Sequence, residues 1–371
     1  MASNSSNKGG SHEGAGGGSP LSAPFGAGGP GKAAADPSAI GEAAAPLRAA
    51  AALAGGRADF APKRRLSRFA DALFAQGTNA SVFIVTILIF LMVLSLFIYS
   101  LPAIKAAGWN LISGLNWDPS NDSYGAFPFL AGTLITSVLA LAISLPFSLA
   151  IGILLGEYFK KGPLPSILGS AIELLAGIPS IIYGIWGFFF LIPLIQKLEF
   201  AWHITPMIGS GVFTAGILLA IMIIPYSASL AREVILLTPP DLKEAAYSLG
   251  ATRFEVVRRV IVPHAFSGIV AGQILAFGRA LGETMAVAIV IGNNNMIPGF
   301  RLMANGVLKG SLNLFSSGAT IPSVIVNEYP ETIAGDLHSS ALIAIGLELL
   351  VITLAFGFIG RAMINRMAVK K

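Results

Sequence analysis

Apolar residues fall in blocks of about twenty or more, the length a helix needs to cross a ~30 Å hydrocarbon layer. Polar, glycine-rich or basic stretches separate the blocks. Ser81 to Leu101 contains no ionisable acid or base, and Phe129 to Gly156 is likewise uncharged, with Pro146 inside it. Leu164 to Ile195 is too long for one straight span at about 1.5 Å per residue, so a surface-lying start or a break near Gly177 to Pro179 is expected. Val212 to Leu230 carries Pro225, Phe266 to Gly292 is rich in glycine, and Ala341 to Gly360 is the last block. The pattern predicts an all-α polytopic membrane protein with six transmembrane helices.

Two segments before the first block differ from it. Residues 1–62 are dominated by Gly, Ala, Ser and Pro and have few residues able to form a core, so they are expected to be a disordered tail. Within them Gly26 to Ala33 spells G-x-x-x-x-G-K-A, but it lacks the hydroxyl residue that would hold magnesium, contains Pro30 and follows no strand, which marks it as a chance match. Residues 63–80 place Leu66, Phe69, Ala70, Leu73 and Phe74 at helical spacing behind Lys63, Arg64, Arg65 and Arg68. A short amphipathic helix on an anionic membrane surface, or a plain basic anchor, is expected there, with the first span at 81–101.

Composition agrees with the block pattern. Of the 371 residues 54% are apolar and 12% charged, against roughly 25% in soluble domains, and mean hydropathy is +0.74. There is no cysteine, and the four histidines are scattered, so thiolate metal sites, a cysteine nucleophile and an H-E-x-x-H site are excluded. The net charge of +5 is spent on orientation. Lys63, Arg64, Arg65, Arg68, Lys160, Lys161, Arg232, Lys243, Arg253, Arg258, Arg259, Arg361, Arg366, Lys370 and Lys371 would share one side, and only Lys105, Lys197, Arg301 and Lys309 the other. By the excess of positive charge on the inside, both termini are expected in the cytoplasm. The outer loops near 102–128 and 293–339 are too short for an independent domain, so another chain would have to deliver a ligand.

The longest cytoplasmic connection is 232–264. Thr238-Pro239-Pro240-Asp241 reads as an N-cap followed by a proline first turn. Leu242, Ala245, Ala246 and Leu249 then share a face, Gly250 suits a left-handed stop, and Thr252-Arg253-Phe254-Glu255 reads as a capping box. Two short helices are expected, the second ended by Pro263 before the next span. Taken alone, such a hairpin is either a connector or a docking element.

Only Glu173, Arg279, Glu283 and Glu348 are ionisable within the six blocks. A charge at mid-span costs roughly 2.5 to 3.5 kcal/mol by insertion scales, so each requires a partner or a task. Glu283 is four residues after Arg279, hence on the same helix face and able to pair with it. They are either a neutralised pair that fixes packing or an anion pathway, in which the arginine fork meets oxyanion oxygens and Glu283 holds Arg279 between transits or takes a proton. Glu173 is expected near the cytoplasmic interface and solvated, and Glu348 has no role legible in the sequence.

Glu244-Ala245-Ala246, Gly250 and Val260-Ile261-Val262-Pro263 resemble the E-A-A-x3-G-x9-I-x-L-P signature of bacterial ABC importer permeases, with valine in place of its isoleucine and leucine. Gly278 to Val287 with Ile291-Gly292-Asn293, and Glu173 to Ser180 with Tyr183-Gly184, are similar to the fifth and third spans of the PstC family of phosphate importer permeases, a binding-protein-dependent inner-membrane component of CysTW type. The likeness covers roughly 66–365; the long tail departs from it. It implies a type I ABC importer permease fold with its core at 129–365, and a non-enzymatic subunit of the bacterial cytoplasmic (inner) membrane, moving inorganic phosphate by alternating access. The implied partners are a PstA-like sister permease, two PstB-like ATP-binding subunits and a PstS-like phosphate-binding protein. ATP and Mg would sit on the ATP-binding subunits, with no cofactor, metal or catalytic residue on this chain. Glu244, Ala245, Ala246, Gly250 and Pro263 would couple it to those subunits. Another oxyanion such as sulfate or molybdate, or an ATP-independent anion transporter or channel, are the alternatives.

Overall fold

A computed structural model describes residues 64–159, 162–302 and 308–368. The tail 1–62, with its loop-like Gly26 to Ala33, lies outside the described residues. Contacts separate Met1–Asn79 from a second unit, Ala80–Lys371, which holds the helical core.

Among the described residues six helices are long and apolar enough to cross a membrane. Helix α1 is Arg64–Ala107 and runs without interruption through both the 63–80 stretch and the first span. Helix α2, Phe127–Ile153, continues into a π-turn at Leu154–Tyr158. The third block divides into α3, Pro163–Ala176, and α4, Ser180–Trp186, separated by Gly177-Ile178-Pro179 as its length required. A π-turn at Gly187–Leu191 carries α4 on into α5, Ile192–Trp202. Helix α6 is Val212–Leu236, α7 is Pro240–Ser248, and α8 is Arg253–Val256. Helices α9, Val262–Leu281, and α10, Met285–Val290, form the fifth block. Helix α11 is Ile321–Glu328, and α12, Leu337–Ala368, is the last.

Two expectations about the fifth block are corrected. Pro263 does not end a helix: α8 passes through a π-turn at Val257–Ile261 into α9, giving one apolar helix from Arg253 to Leu281. A proline inside a helix lacks an N–H and crowds the carbonyl one turn back. The widened turn, closed by Val262 N–H to Val257 O, loosens that region just ahead of it. The block is also not one continuous helix. It stops at Gly282 and restarts after Thr284, leaving Glu283 in the break.

Helix α6 is the most enclosed span, with 67% of its apolar window buried against 17% for α12. Glycines on its neighbours allow this. A Cβ on Gly152 of α2 would lie 2.7 Å from the Ala231 Cβ, and one on Gly156 would lie 2.8 Å from the Ile235 Cγ2. On α9, Gly268 faces Val234 and Gly272 faces Leu230 in the same way. Leu218, Leu219 and Ile223 of α6 are fully buried with Val287 and Ile291. This is packing by close backbone approach, the mode available where lipid supplies no hydrophobic drive between helices.

At the end of the bundle away from α7, Trp117–Asp118 and Ser123–Tyr124 pair as two short antiparallel strands, β1 and β2. Trp117 Nε1 donates to Glu328 Oε2 at 2.8 Å, and His338 Nε2 lies 2.9 Å from the same oxygen. The Tyr124 ring stacks on His338, and burial, with the nearby charge of Asp122, raises the Tyr124 phenol pKa. A second pair, β3 (Phe300–Leu302) with β4 (Leu308–Gly310), lies further along.

Gly152→Ala should destabilise the protein by about 1–3 kcal/mol through overpacking against α6. The readout is a lower midpoint of thermal unfolding in detergent, whereas Gly357→Ala, with nothing within 4 Å of the added Cβ, should leave that midpoint unchanged or raised.

Candidate functional site

The segment between α6 and α9 forms the expected hairpin, with one change at its start. Thr238 does not cap α7: the helix begins at Pro240 after Pro239, and the buried Thr238 Oγ1 has no hydrogen-bond partner. A proline at the first position has no N–H to satisfy, so no side-chain cap is needed there. Leu249 and Gly250 end α7, Gly250 at φ +81° in the left-handed region that glycine adopts without strain. The capping box of α8 is complete. Thr252 N–H donates to Glu255 Oε2 at 2.9 Å, and Glu255 N–H donates to Thr252 Oγ1 at 3.4 Å.

The hairpin's two faces are chemically distinct. Ala246 turns inward with Val256, Val257 and Ile261 against Ile235 of α6. Glu244, Ala245 and Gly250 face outward together with Leu242, Leu249 and Phe254, the last two 89% and 62% exposed. These apolar side chains are therefore grouped on the surface of the hairpin. Pro263 is not on that face; it lies at the start of α9.

Sequence reasoning missed what holds the hairpin to the rest of the molecule. Lys243 of α7 and Glu157 at the end of α2 are both buried and form an ion pair at 2.9 Å. Arg253 Nη2 donates to the main-chain oxygens of Glu157 at 2.8 Å and Tyr158 at 2.9 Å, and its guanidinium lies 4.3 Å from the Tyr158 ring centroid. Those carbonyls sit at the end of the Leu154–Tyr158 π-turn, where a helix leaves acceptors without intrahelical donors. The one signal in the sequence was an acid and two bases beside apolar blocks, with nothing to indicate that residues 86 apart would meet.

In the spans, Arg279 occupies the last turn of α9. Its side chain is exposed in this chain, 5.5 Å from the ring centroid of Tyr226 on α6. The Tyr183 hydroxyl donates to Leu175 O at 2.9 Å, across the break between α3 and α4. Among the described residues no ion pair joins Arg279 to Glu283: a turn's separation places two side chains together only on a continuous helix, and the helix stops between them. Thr284 Oγ1 donates to Gly282 O at 3.1 Å within the break. On the far side α10 packs on α4, where Gly184 approaches Ala286 and Ile289. The arrangement presents an exposed guanidinium beside the Tyr226 ring, in no ion pair among the described residues, one turn before the break in the fifth block.

The other two acids of the apolar blocks divide. Glu173 is exposed on α3, and Glu348 turns inward on α12 with both carboxylate oxygens buried and without a hydrogen-bond partner. Among the described residues no three His, Asp or Glu side chains gather in a way that could hold a metal ion.

Residues 148–369 match the profile of the family described as binding-protein-dependent transport system inner membrane component. The phosphate transport system permease protein PstC of Haemophilus influenzae is 42% identical over 316 residues, covering 80% of this chain and 94% of that one. The PstC of Mesorhizobium japonicum is 40% identical, with 81% and 92% covered. A probable PstC of Methanocaldococcus jannaschii is 36% identical, with 76% and 90% covered. Among solved structures, an inward-facing form of the MetNI methionine ABC transporter superposes at a TM-score of 0.48 with 17% identity, over 66% of this chain and 94% of that one.

Because nothing lies within 4 Å of a Cβ added at Gly250, the cost of Gly250→Ala is purely backbone, about 1–2 kcal/mol for the left-handed conformation. Amide hydrogen exchange across 245–252 should quicken roughly 5- to 30-fold, with part of the protection restored by Gly250→Asn.

Proposed function

The chain belongs to the binding-protein-dependent transport system inner membrane components, the permease subunits of ABC importers, and from that membership we propose that it moves inorganic phosphate into the cytoplasm by alternating access. It is a multi-pass membrane protein of a family whose members work with ATP-binding subunits and substrate-binding proteins. The observation that carries the phosphate reading is Arg279, exposed, in no ion pair among the described residues, and held beside Tyr226 in the last turn before the break in the fifth span. Guanidinium stays charged when desolvated and offers donors in a planar fork that matches phosphate-type oxygens. The names of the relatives point to the same solute.

Glu283 has a different part from the one a continuous helix would assign. Freed from Arg279 by the break, it stands as a separate acid in the pathway, able to accept a proton from a protonated oxyanion and so to disfavour one that arrives fully deprotonated. The outward face of the hairpin, Glu244, Ala245 and Gly250 with Leu249 and Phe254, enters the groove of an ATP-binding subunit. Pro263 acts behind that face, at the joint between hairpin and span. The assembly has a PstA-like sister permease, two PstB-like ATP-binding subunits that hold ATP and Mg, and a PstS-like phosphate-binding protein on the outer face. This chain itself binds no cofactor and catalyses no hydrolysis. It lies in the bacterial inner membrane with both termini in the cytoplasm.

Phosphate uptake by the assembled complex in proteoliposomes tests the proposal. Uptake should require ATP and resist competition by sulfate and molybdate. Arg279→Gln, in complex that still assembles, should lower it about 10- to 100-fold, the loss of a charged hydrogen-bond donor worth about 1.5–3 kcal/mol. Glu283→Gln should cost less. Uptake that proceeds without ATP, or that is unchanged by Arg279→Gln, would overturn the reading.

A further inference from the structure

We infer that Lys243 and Glu157, with Arg253 beside them, are the positioning residues that make the hairpin and the second span move as one body, so that displacement of α7 reaches the membrane through α2 as well as along the chain into α9. The inference rests on the hairpin being the docking element proposed above.

Besides the apolar packing of Val256, Val257 and Ile261 on Ile235, the hairpin has a covalent and a polar connection to the spans. The covalent one is continuous on one side, where α8 runs through its π-turn into α9. On the other side α6 ends at Leu236, and α7 starts only after Leu237-Thr238-Pro239, a short non-helical link. Motion of α7 is therefore not transmitted rigidly through its own N-terminal link. The non-covalent connection fills that gap. Lys243, one turn into α7, reaches the side chain of Glu157 at 2.9 Å, and Arg253, at the start of α8, takes the carbonyls of Glu157 and Tyr158 at 2.8 and 2.9 Å. Both helices of the hairpin thus hold Glu157, in the π-turn that continues α2, and Arg253 takes Tyr158 as well.

Burial makes the grip stiff. An exposed ion pair is screened and loose, whereas both side chains here are largely removed from solvent, at 10% and 5% exposure. Separating them would take the buried Lys243 ammonium from the carboxylate it is paired with, so the pair resists extension during a hinge movement. Arg253 adds direction: its flat guanidinium lies against the Tyr158 ring and hydrogen-bonds to backbone, so the contact holds an orientation as well as a distance. Helix α2 in turn abuts α6 through Gly152 and Gly156. A push on α7 consequently arrives at the α2–α6 seam, and α6 carries the Tyr226 that faces Arg279.

The test uses the assembled complex in lipid nanodiscs, with amide hydrogen exchange read with and without ATP plus vanadate, and uptake per ATP hydrolysed read in proteoliposomes. In the parent complex, nucleotide should change exchange in peptides covering both 240–248 and 152–158. In Lys243→Met the change should persist at 240–248 and disappear from 152–158, and uptake per ATP should fall about tenfold while hydrolysis continues. The double variant Glu157→Met with Lys243→Met removes both charges and keeps the sites packed, so it guards against simple misfolding; it should show the same loss. Exchanging the charges, Glu157→Lys with Lys243→Glu, should restore the response at 152–158. The inference is overturned if Lys243→Met or the double methionine variant transmits the nucleotide response like the parent, or if the charge exchange does no better than the single change. The exchange readout needs no transported solute, so it stands apart from the phosphate reading, which falls on its own if the parent complex shows no ATP-driven phosphate uptake.

Discussion

Close approach of α2 and α9 to α6 is the constraint on which the rest of the arrangement depends. Gly152 and Gly156 on one side, and Gly268 and Gly272 on the other, remove the side chains that would hold the backbones apart. In a bilayer two apolar helices gain nothing by hiding from lipid, so contact has to come from tight van der Waals packing. The seam explains why α6 is the most enclosed span and why its residues reach both ends of the machinery. Tyr226 faces Arg279 within the spans, while Ile235 packs under the hairpin with Val256, Val257 and Ile261.

The interruptions matter as much as the helices. Non-helical backbone at membrane depth is tolerated only where protein or a water-filled cavity satisfies it. The break at Gly177–Pro179 is bridged by the Tyr183 hydroxyl on Leu175 O, and the break at Gly282–Thr284 by Thr284 on Gly282 O and by α10 seated on α4. The second break begins three residues after Arg279. The Arg279 side chain is exposed and, among the described residues, in no ion pair. The π-turns serve a related purpose. The one at Val257–Ile261 lets a helix run through Pro263, and the one at Leu154–Tyr158 ends in carbonyls that Arg253 then occupies.

What could be read without coordinates was local. The length of the apolar blocks indicates six spans. The excess length of the third requires a break where glycine and proline stand together, and Thr252 with Glu255 specifies a capping box whatever surrounds it. Gly250 as a left-handed stop belongs to the same class, since a conformation open mainly to glycine is written in one residue. The E-A-A run did not by itself tell its faces apart: Glu244 and Ala245 are exposed, whereas Ala246 packs inward.

Three features depended on distant residues, and there local reading failed. Continuation of the hairpin through Pro263 required a π-turn that no residue type announces. The stop at Gly282 depended on α10 finding its place against Gly184 of α4, and it removed the Arg279–Glu283 pairing that helical spacing alone would allow. The Lys243–Glu157 pair joins residues 86 apart that looked like ordinary charges at membrane edges. Hydrophobic period, caps and glycine stops are properties of a few neighbouring residues and are settled by the sequence itself. Which charges meet, and where an apolar helix yields, is settled by what packs against it, and only the tertiary structure holds that information.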